Sequence, residues 1–125
     1  MDQDQAEEAL WQAVLRCQGE HFFTSSGLPF TYEVKRKKNG EYSGELLISR
    51  KEVSKTLTKS SVMYAFRKVF SDGKTFGGEF TAPEYKGPKE IGQIFGISYS
   101  YSLFWRLGLI RVPEKVEKKL KGENG

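Results

Sequence analysis

Residues 20–70 read EHFFTSSGLPFTYEVKRKKNGEYSGELLISRKEVSKTLTKSSVMYAFRKVF, and this stretch decides the fold. Two segments in it, Ser25-Ser26-Gly27 and Lys38-Asn39-Gly40, fit three-residue hairpin loops. Such loops pair a type I turn with a last residue in the left-handed conformation, which favours glycine. Two of them predict a three-stranded antiparallel meander over residues 20–49. Taken literally, they set Phe22 against Phe30, Phe30 against Ile48, Tyr32 against Leu46 and Arg36 against Tyr42. Side chains alternate across a sheet. One face is therefore expected to carry Phe22, Phe30, Tyr32, Val34, Tyr42, Leu46 and Ile48. The other carries Thr31, Glu33, Lys35, Ser43 and Glu45. A two-residue Asn39-Gly40 turn would slip the second hairpin by one residue and scramble the apolar face. Pro29 falls in the central strand although proline cannot donate to a ladder.

An amphipathic helix over residues 58–71 follows. Thr58 is a good N-cap, and Leu57 before it is placed to staple against Val62. Val62, Phe66, Val69 and Phe70 recur at helical spacing, with Met63 and Ala65 beside them. At the other end, residues 1–19 predict a helix capped by Asp4, with Glu7 three residues on. Leu10, Val14 and Cys17 form its apolar stripe, widened by Trp11, Ala13 and Leu15, and Gly19 closes it. Burying the apolar face of the sheet and both stripes together gives a two-layer α+β domain.

The 125 residues suffice for one domain with a real core. Hydrophobic residues make up 38% and charged residues 29%, which fits neither a disordered nor a membrane chain. The first ten residues, MDQDQAEEAL, are acidic and polar, unlike a secretory signal peptide. A lone Cys17 leaves no internal disulfide to form and fits a reducing, cytoplasmic setting. Net charge is +4 but unevenly spread: residues 35–74 hold eleven Lys or Arg against four acids. Such a bias points to a polyanion as partner. Lysines that merely keep sheet edges soluble are the plain alternative.

The segment GPKEIGQIFGISYSYSLFWRLGLI, residues 87–110, predicts two short helices over 88–108 joined by Gly96-Ile97-Ser98. Pro88 suits a first helical position, Ser98 an N-cap and Gly108 a helix end. The pattern of Ile91, Gly92, Phe95, Gly96, Ile97, Ser98 and Trp105 resembles a helix-turn-helix DNA-binding motif, over this segment alone. Ser102 departs from it, standing where such motifs carry a branched apolar residue. The resemblance implies that the second helix offers its first residues to base edges. Those are Tyr99 and Ser100, followed by Ser102, with Lys86, Lys89 and Arg106 near phosphates. The competing reading is an ordinary helical hairpin whose Leu103, Phe104, Trp105 and Leu107 complete the core.

A second nucleic-acid surface is the tip of the hairpin, Lys35, Arg36, Lys37 and Lys38, continued by Arg50, Lys51, Lys55 and Lys59. An enzyme reading rests on Glu33-Val34-Lys35 with Glu45 opposite. An acid-x-lysine strand resembles that of metal-dependent restriction-type nucleases, where carboxylates hold Mg²⁺. This chain has only Asp2, Asp4 and Asp72 to supply the further acid such sites want. One Cys and one His leave no zinc site. Cys17 and His21 read as a buried thiol and a strand-entry histidine, with no third group to orient them. The expectation is therefore a non-enzymatic nucleic-acid-binding protein, DNA ahead of RNA, in an accessory or regulatory role. It needs no cofactor, no metal and no membrane. The rival class is a protein-binding adaptor or inhibitor using the acidic first helix or the Tyr-rich segment. Residues 113–125, PEKVEKKLKGENG, are expected to form a frayed, charged tail.

Overall fold

The computed structural model describes residues 2–75 and 77–123. In chain order its elements are α1 (Gln3–Arg16), β1 (Phe22–Phe23), β2 (Pro29–Arg36), β3 (Tyr42–Arg50), β4 (Val53–Thr58) and α2 (Lys59–Gly73). A single 3-10 turn (Pro88–Glu90), α3 (Ile97–Arg106) and α4 (Glu114–Leu120) complete it. The strands form one antiparallel sheet in the order β1-β2-β3-β4, giving an α+β architecture with one strand more than expected.

Both glycine-closed loops form as predicted, with Gly27 at φ 83° and Gly40 at φ 89°. Phe22 opposes Phe30, and Arg36 opposes Tyr42, again as predicted. Past an irregularity between Val34 and Arg36, however, the second hairpin pairs Tyr32 with Ile48 and Val34 with Leu46. That is two residues from the expected register. A slip of two preserves facing, so the apolar set stays together. Tyr42 is the exception: it sits beside the tip, 36% exposed, with the Arg36 guanidinium 4.0 Å over its ring.

β4 escapes sequence reading because only Val53 and Leu57 in it are apolar, and only Leu57 is buried. It is an edge strand, where Ser, Thr and Lys are tolerated. Its turn also lacks a glycine or asparagine signal, since Lys51 itself takes the left-handed backbone at φ 49°. Leu46 opposes Leu57, and both are 1% exposed.

The helices cover the apolar sheet face. α1 is capped by Asp2 rather than Asp4: the Asp2 carboxylate accepts from Gln5 N at 2.8 Å, and Gln5 accepts from Asp2 N in return. Glutamine closes such a box as well as glutamate does. Beyond α1, Gly19 N donates to Tyr32 O (3.0 Å) and Val34 N donates to Gln18 Oε1 (2.8 Å). These bonds occupy β2 where β1 no longer pairs with it. Thr58 caps α2 as predicted, accepting from Ser61 N at 3.1 Å.

The expected helical pair at 88–108 is corrected. Its first member is a single 3-10 turn, and α3 is capped by Gly96 rather than Ser98. Glycines at 92 and 96 each cost a helix about 1 kcal/mol, so the intervening residues stay irregular. Gly96 is also required sterically. At φ 76° a Cβ there would stand 2.4 Å from Leu57 Cδ1. The tail expectation is corrected as well: Leu120 of α4 is 1% exposed, with Val112 and Val116 packed on the core. Residues 124 and 125 lie outside the described residues. Among the described residues, no helix is long and apolar enough to cross a membrane.

Three tyrosines tie the layers through buried hydroxyls. Tyr32 donates to Val14 O (2.6 Å), Tyr101 donates to Tyr85 O (2.6 Å), and Tyr85 donates to the Asp72 carboxylate. Burial holds all three phenols protonated above the ordinary range, Tyr101 up to about 12. Asp72 is lowered in turn, by the Tyr85 hydrogen bond and then by that of Lys68. Each phenol keeps its proton more tightly folded than unfolded. Its contribution is therefore complete below the unfolded value near pH 10 and is lost as pH rises toward 12. The unfolding free energy from denaturant titrations should fall steeply above about pH 10, by up to about 1.4 kcal/mol per pH unit for each tyrosine. Tyr32→Phe should cost about 1 kcal/mol at neutral pH and flatten that alkaline slope by one group's share. An unaltered slope in this variant would remove Tyr32 from the account.

Candidate nucleic-acid interface

The β2–β3 tip brings together Arg36, Lys37 and Lys38, while the neighbouring Lys35 extends away from it. Arg36 is held in place, donating to Gly40 O (2.6 Å) and Tyr42 Oη (2.8 Å) while lying over the Tyr42 ring. Lys37 and Lys38 are exposed. Lys35 points from the outer sheet face, and its Nζ crosses β3 to reach Thr56 Oγ1 on β4 at 3.3 Å. Thr56 opposes Leu47, three residues from Arg50. The Lys35 amine is thus carried to within about 10 Å, along the strand, of the β3–β4 turn.

That turn holds the second group, Arg50, Lys51 and Lys55. β3 has nine residues, so the two groups stand about 27 Å apart, at opposite ends of the sheet. A single continuous patch, as the sequence implied, is not formed. Lys55 opposes Ile48 and emerges at the edge of the inner side, while Arg50 NH1 donates to Tyr99 Oη at 3.3 Å. Lys59 lies apart from both, its Nζ 4.8 Å over the Trp11 ring.

The motif-derived residues fare differently. Tyr99 is 6% and Ser100 is 1% exposed, so neither reaches a groove. Ser102 is 1% exposed and donates to Phe23 O at 2.7 Å, which explains its departure from the helix-turn-helix pattern: it ties α3 to β1. Lys86 and Lys89 are exposed around the 3-10 turn. The residues after that turn, Ile91 to Ile94, share a hollow with Tyr64, Arg67 and Lys68 of α2. Arg106 is committed to the fold. It donates to His21 O (2.7 Å) and Glu20 Oε1 (3.2 Å), with its guanidinium 4.1 Å over the Phe22 ring. The Tyr-rich adaptor surface is also gone, since Tyr101 is fully buried.

The acids of the nuclease reading do not meet as expected, because the corrected register sets Glu33 against Leu47 and Glu45 against Thr58. Among the described residues, no three His, Cys, Asp or Glu gather as a metal site would require. Burial, then the nearby Glu20 charge, raises the Cys17 thiol, which disfavours the nucleophilic thiolate.

One feature absent from the sequence reading lies beside the β3–β4 turn. A cleft of about 360 Å³ is lined by Arg50, Lys55, Ser26, Leu28, Phe95 and Ser98, among others. Phe95 is 60% and Leu28 is 40% exposed. The signal for Phe95 was the Gly92 and Gly96 pair around it, which precludes the helix that would have turned it inward. In comparison with known proteins, no family model matches this chain, and neither a curated protein nor a solved structure is similar to it.

Arg106→Ala should lower stability by about 0.5–1 kcal/mol, mainly through the lost stack on Phe22, because water can replace it at the exposed His21 carbonyl. Chemical denaturation measures this. Retention on nucleic acid at low salt should not change once the variant is folded, whereas a loss would return Arg106 to the interface.

Proposed function

We propose that this chain is a non-enzymatic nucleic-acid-binding protein with an accessory or regulatory role. The reading is carried by one observation: among the described residues, the lysines at the two ends of the sheet, and Arg50 with them, have no acidic partner. Among the described residues, the ion pairs are Arg67–Glu7, Lys68–Asp72, Arg106–Glu20 and Lys121–Glu117. None involves Lys35, Lys37, Lys38, Arg50, Lys51 or Lys55.

Two cationic ends about 27 Å apart suit a ligand whose negative charge repeats along its length. Lys35, reaching over Thr56, stands between them. Lys51 adds a further argument. A non-glycine residue in the left-handed region is disfavoured, and asparagine or glycine would suit that turn better. A lysine there keeps charge at the expense of backbone comfort. Glu33 and Glu45 share the outer face with Lys35, so the excess of positive charge resides at the ends rather than the middle.

Association should weaken about 10³-fold between about 50 and 200 mM salt, as expected when some six phosphates of a duplex are neutralised. Reversing Lys35, Lys37 and Lys38 to Glu should abolish retention on immobilised DNA at low salt while circular dichroism stays unchanged. Neutralising Glu33 and Glu45 to Gln should strengthen it. Binding indifferent to salt, or no retention at low salt, would overturn the proposal in favour of a protein-binding adaptor.

A further inference from the structure

We infer that the cleft beside the β3–β4 turn seats one unstacked nucleotide of a single strand, its base on Phe95 and its phosphate on Arg50 and Lys55. The inference rests on the nucleic-acid reading and deepens it, assigning a preference for single strands to a specific place.

The cleft joins three features that a nucleotide needs together. Its two cations project from neighbouring strands, Arg50 at the end of β3 and Lys55 on β4. Tyr99 Oη engages one Arg50 nitrogen, which orients the guanidinium and leaves its remaining donors for an anion. Phe95 offers an exposed ring, and bases of any sequence stack on such a face. Ser26 and Ser98 add hydroxyls that either donate or accept, as base edges and sugar require.

The walls are firm. Thr24, only 4% exposed, accepts at Oγ1 from Ser26 N (3.3 Å) and Leu28 N (3.2 Å), which fixes the first hairpin loop. On the other side Gly96 is pressed on Leu57, so the backbone carrying Phe95 has little room to retreat.

Size and packing select the single strand. A volume of about 360 Å³ lies at the small end of the ~300–1,000 Å³ of ligand pockets, room for a nucleotide but not for a duplex. In a duplex the bases are stacked and their faces unavailable. The helix that a duplex reader would lay in the major groove has its first residues buried here.

The test is fluorescence anisotropy with a short labelled oligothymidylate, its pre-formed duplex, and thymidine monophosphate as competitor. Wild type should bind the single strand more tightly than the duplex, with the mononucleotide competing only weakly. Phe95→Ala should weaken single-strand binding about tenfold or more, with the salt dependence unchanged because no charge is removed. Phe95→Tyr should restore it. Lys55→Gln should reduce the salt slope by about 0.7, one phosphate's worth on a single strand. Phe95 is largely exposed, so unfolding should not confound the variant, and a thermal melt checks this. Undiminished affinity in Phe95→Ala, equal affinity for duplex, or a mononucleotide as potent as the oligomer would overturn the cleft. In those cases, loss of retention on reversing Lys35, Lys37 and Lys38 would leave the broader reading standing. No retention by wild type at low salt would sink both.

Discussion

The ring of Tyr99 meets Phe30 edge-on, with centroids 4.9 Å apart, and much of the molecule depends on that contact. Phe30 in turn stacks on Phe22 at 5.4 Å, and Phe22 lies 5.6 Å from Tyr32. These four rings make one run from the start of α3 across β1 and β2. Aromatic pairs of this kind add about 0.5–1.5 kcal/mol each beyond the area they bury. Seating Tyr99 in this run draws the first turn of α3 onto the sheet. The segment before it must then pass over Leu57, where only glycine fits. The position of the cleft follows from that packing and not from the charges that line it.

Arginine and lysine divide the work. Arg36 and Arg106 each lie over an aromatic ring and donate to a backbone carbonyl. The guanidinium fork is suited to both contacts, whereas an ammonium remains a hydrated point charge on a flexible stem. A count of twenty Lys and Arg therefore overstates the cations available to a ligand. Those left unpaired on the sheet are mostly lysines, and burying none of them avoids a desolvation cost. The free surface charge at the strand ends is consequently left mostly to lysines, since Arg36 and Arg50 there are already engaged by Tyr42, Gly40 O and Tyr99.

Much of the fold was legible from local chemistry. Gly27 and Gly40 marked two turns, and alternation then named six of the seven buried residues on the sheet face. Thr58 marked α2. What failed had a common physical cause, namely that tertiary contact decided what the local pattern left open. β4 has one buried apolar residue, so its alternation carries almost no signal, yet pairing along β3 makes it a strand. The shift between Val34 and Arg36 is invisible in sequence because a slip of two residues leaves facing intact. Ser102 looked like a defect in a DNA-binding helix and is instead a hydrogen bond to β1. α4 looked like a solvated tail, since Val112, Val116 and Leu120 are a thin apolar stripe among charged residues, and their packing on the core is a tertiary effect.

Phe95 illustrates how the same packing creates a surface. An aromatic side chain left 60% exposed forgoes part of the roughly 1.5–3 kcal/mol that full burial would supply. Turning the ring inward would require residues 92–96 to become helical or to shift away from β4. The first is opposed by two glycines, and the second would unseat Leu57, one of the least exposed side chains in the core. The ring thus stays exposed because its backbone is confined beside Leu57, and it lines the cleft that also carries Arg50 and Lys55. A backbone confined in that setting gives up little freedom when a planar, negatively charged ligand arrives, and preorganisation of this kind lowers the cost of binding.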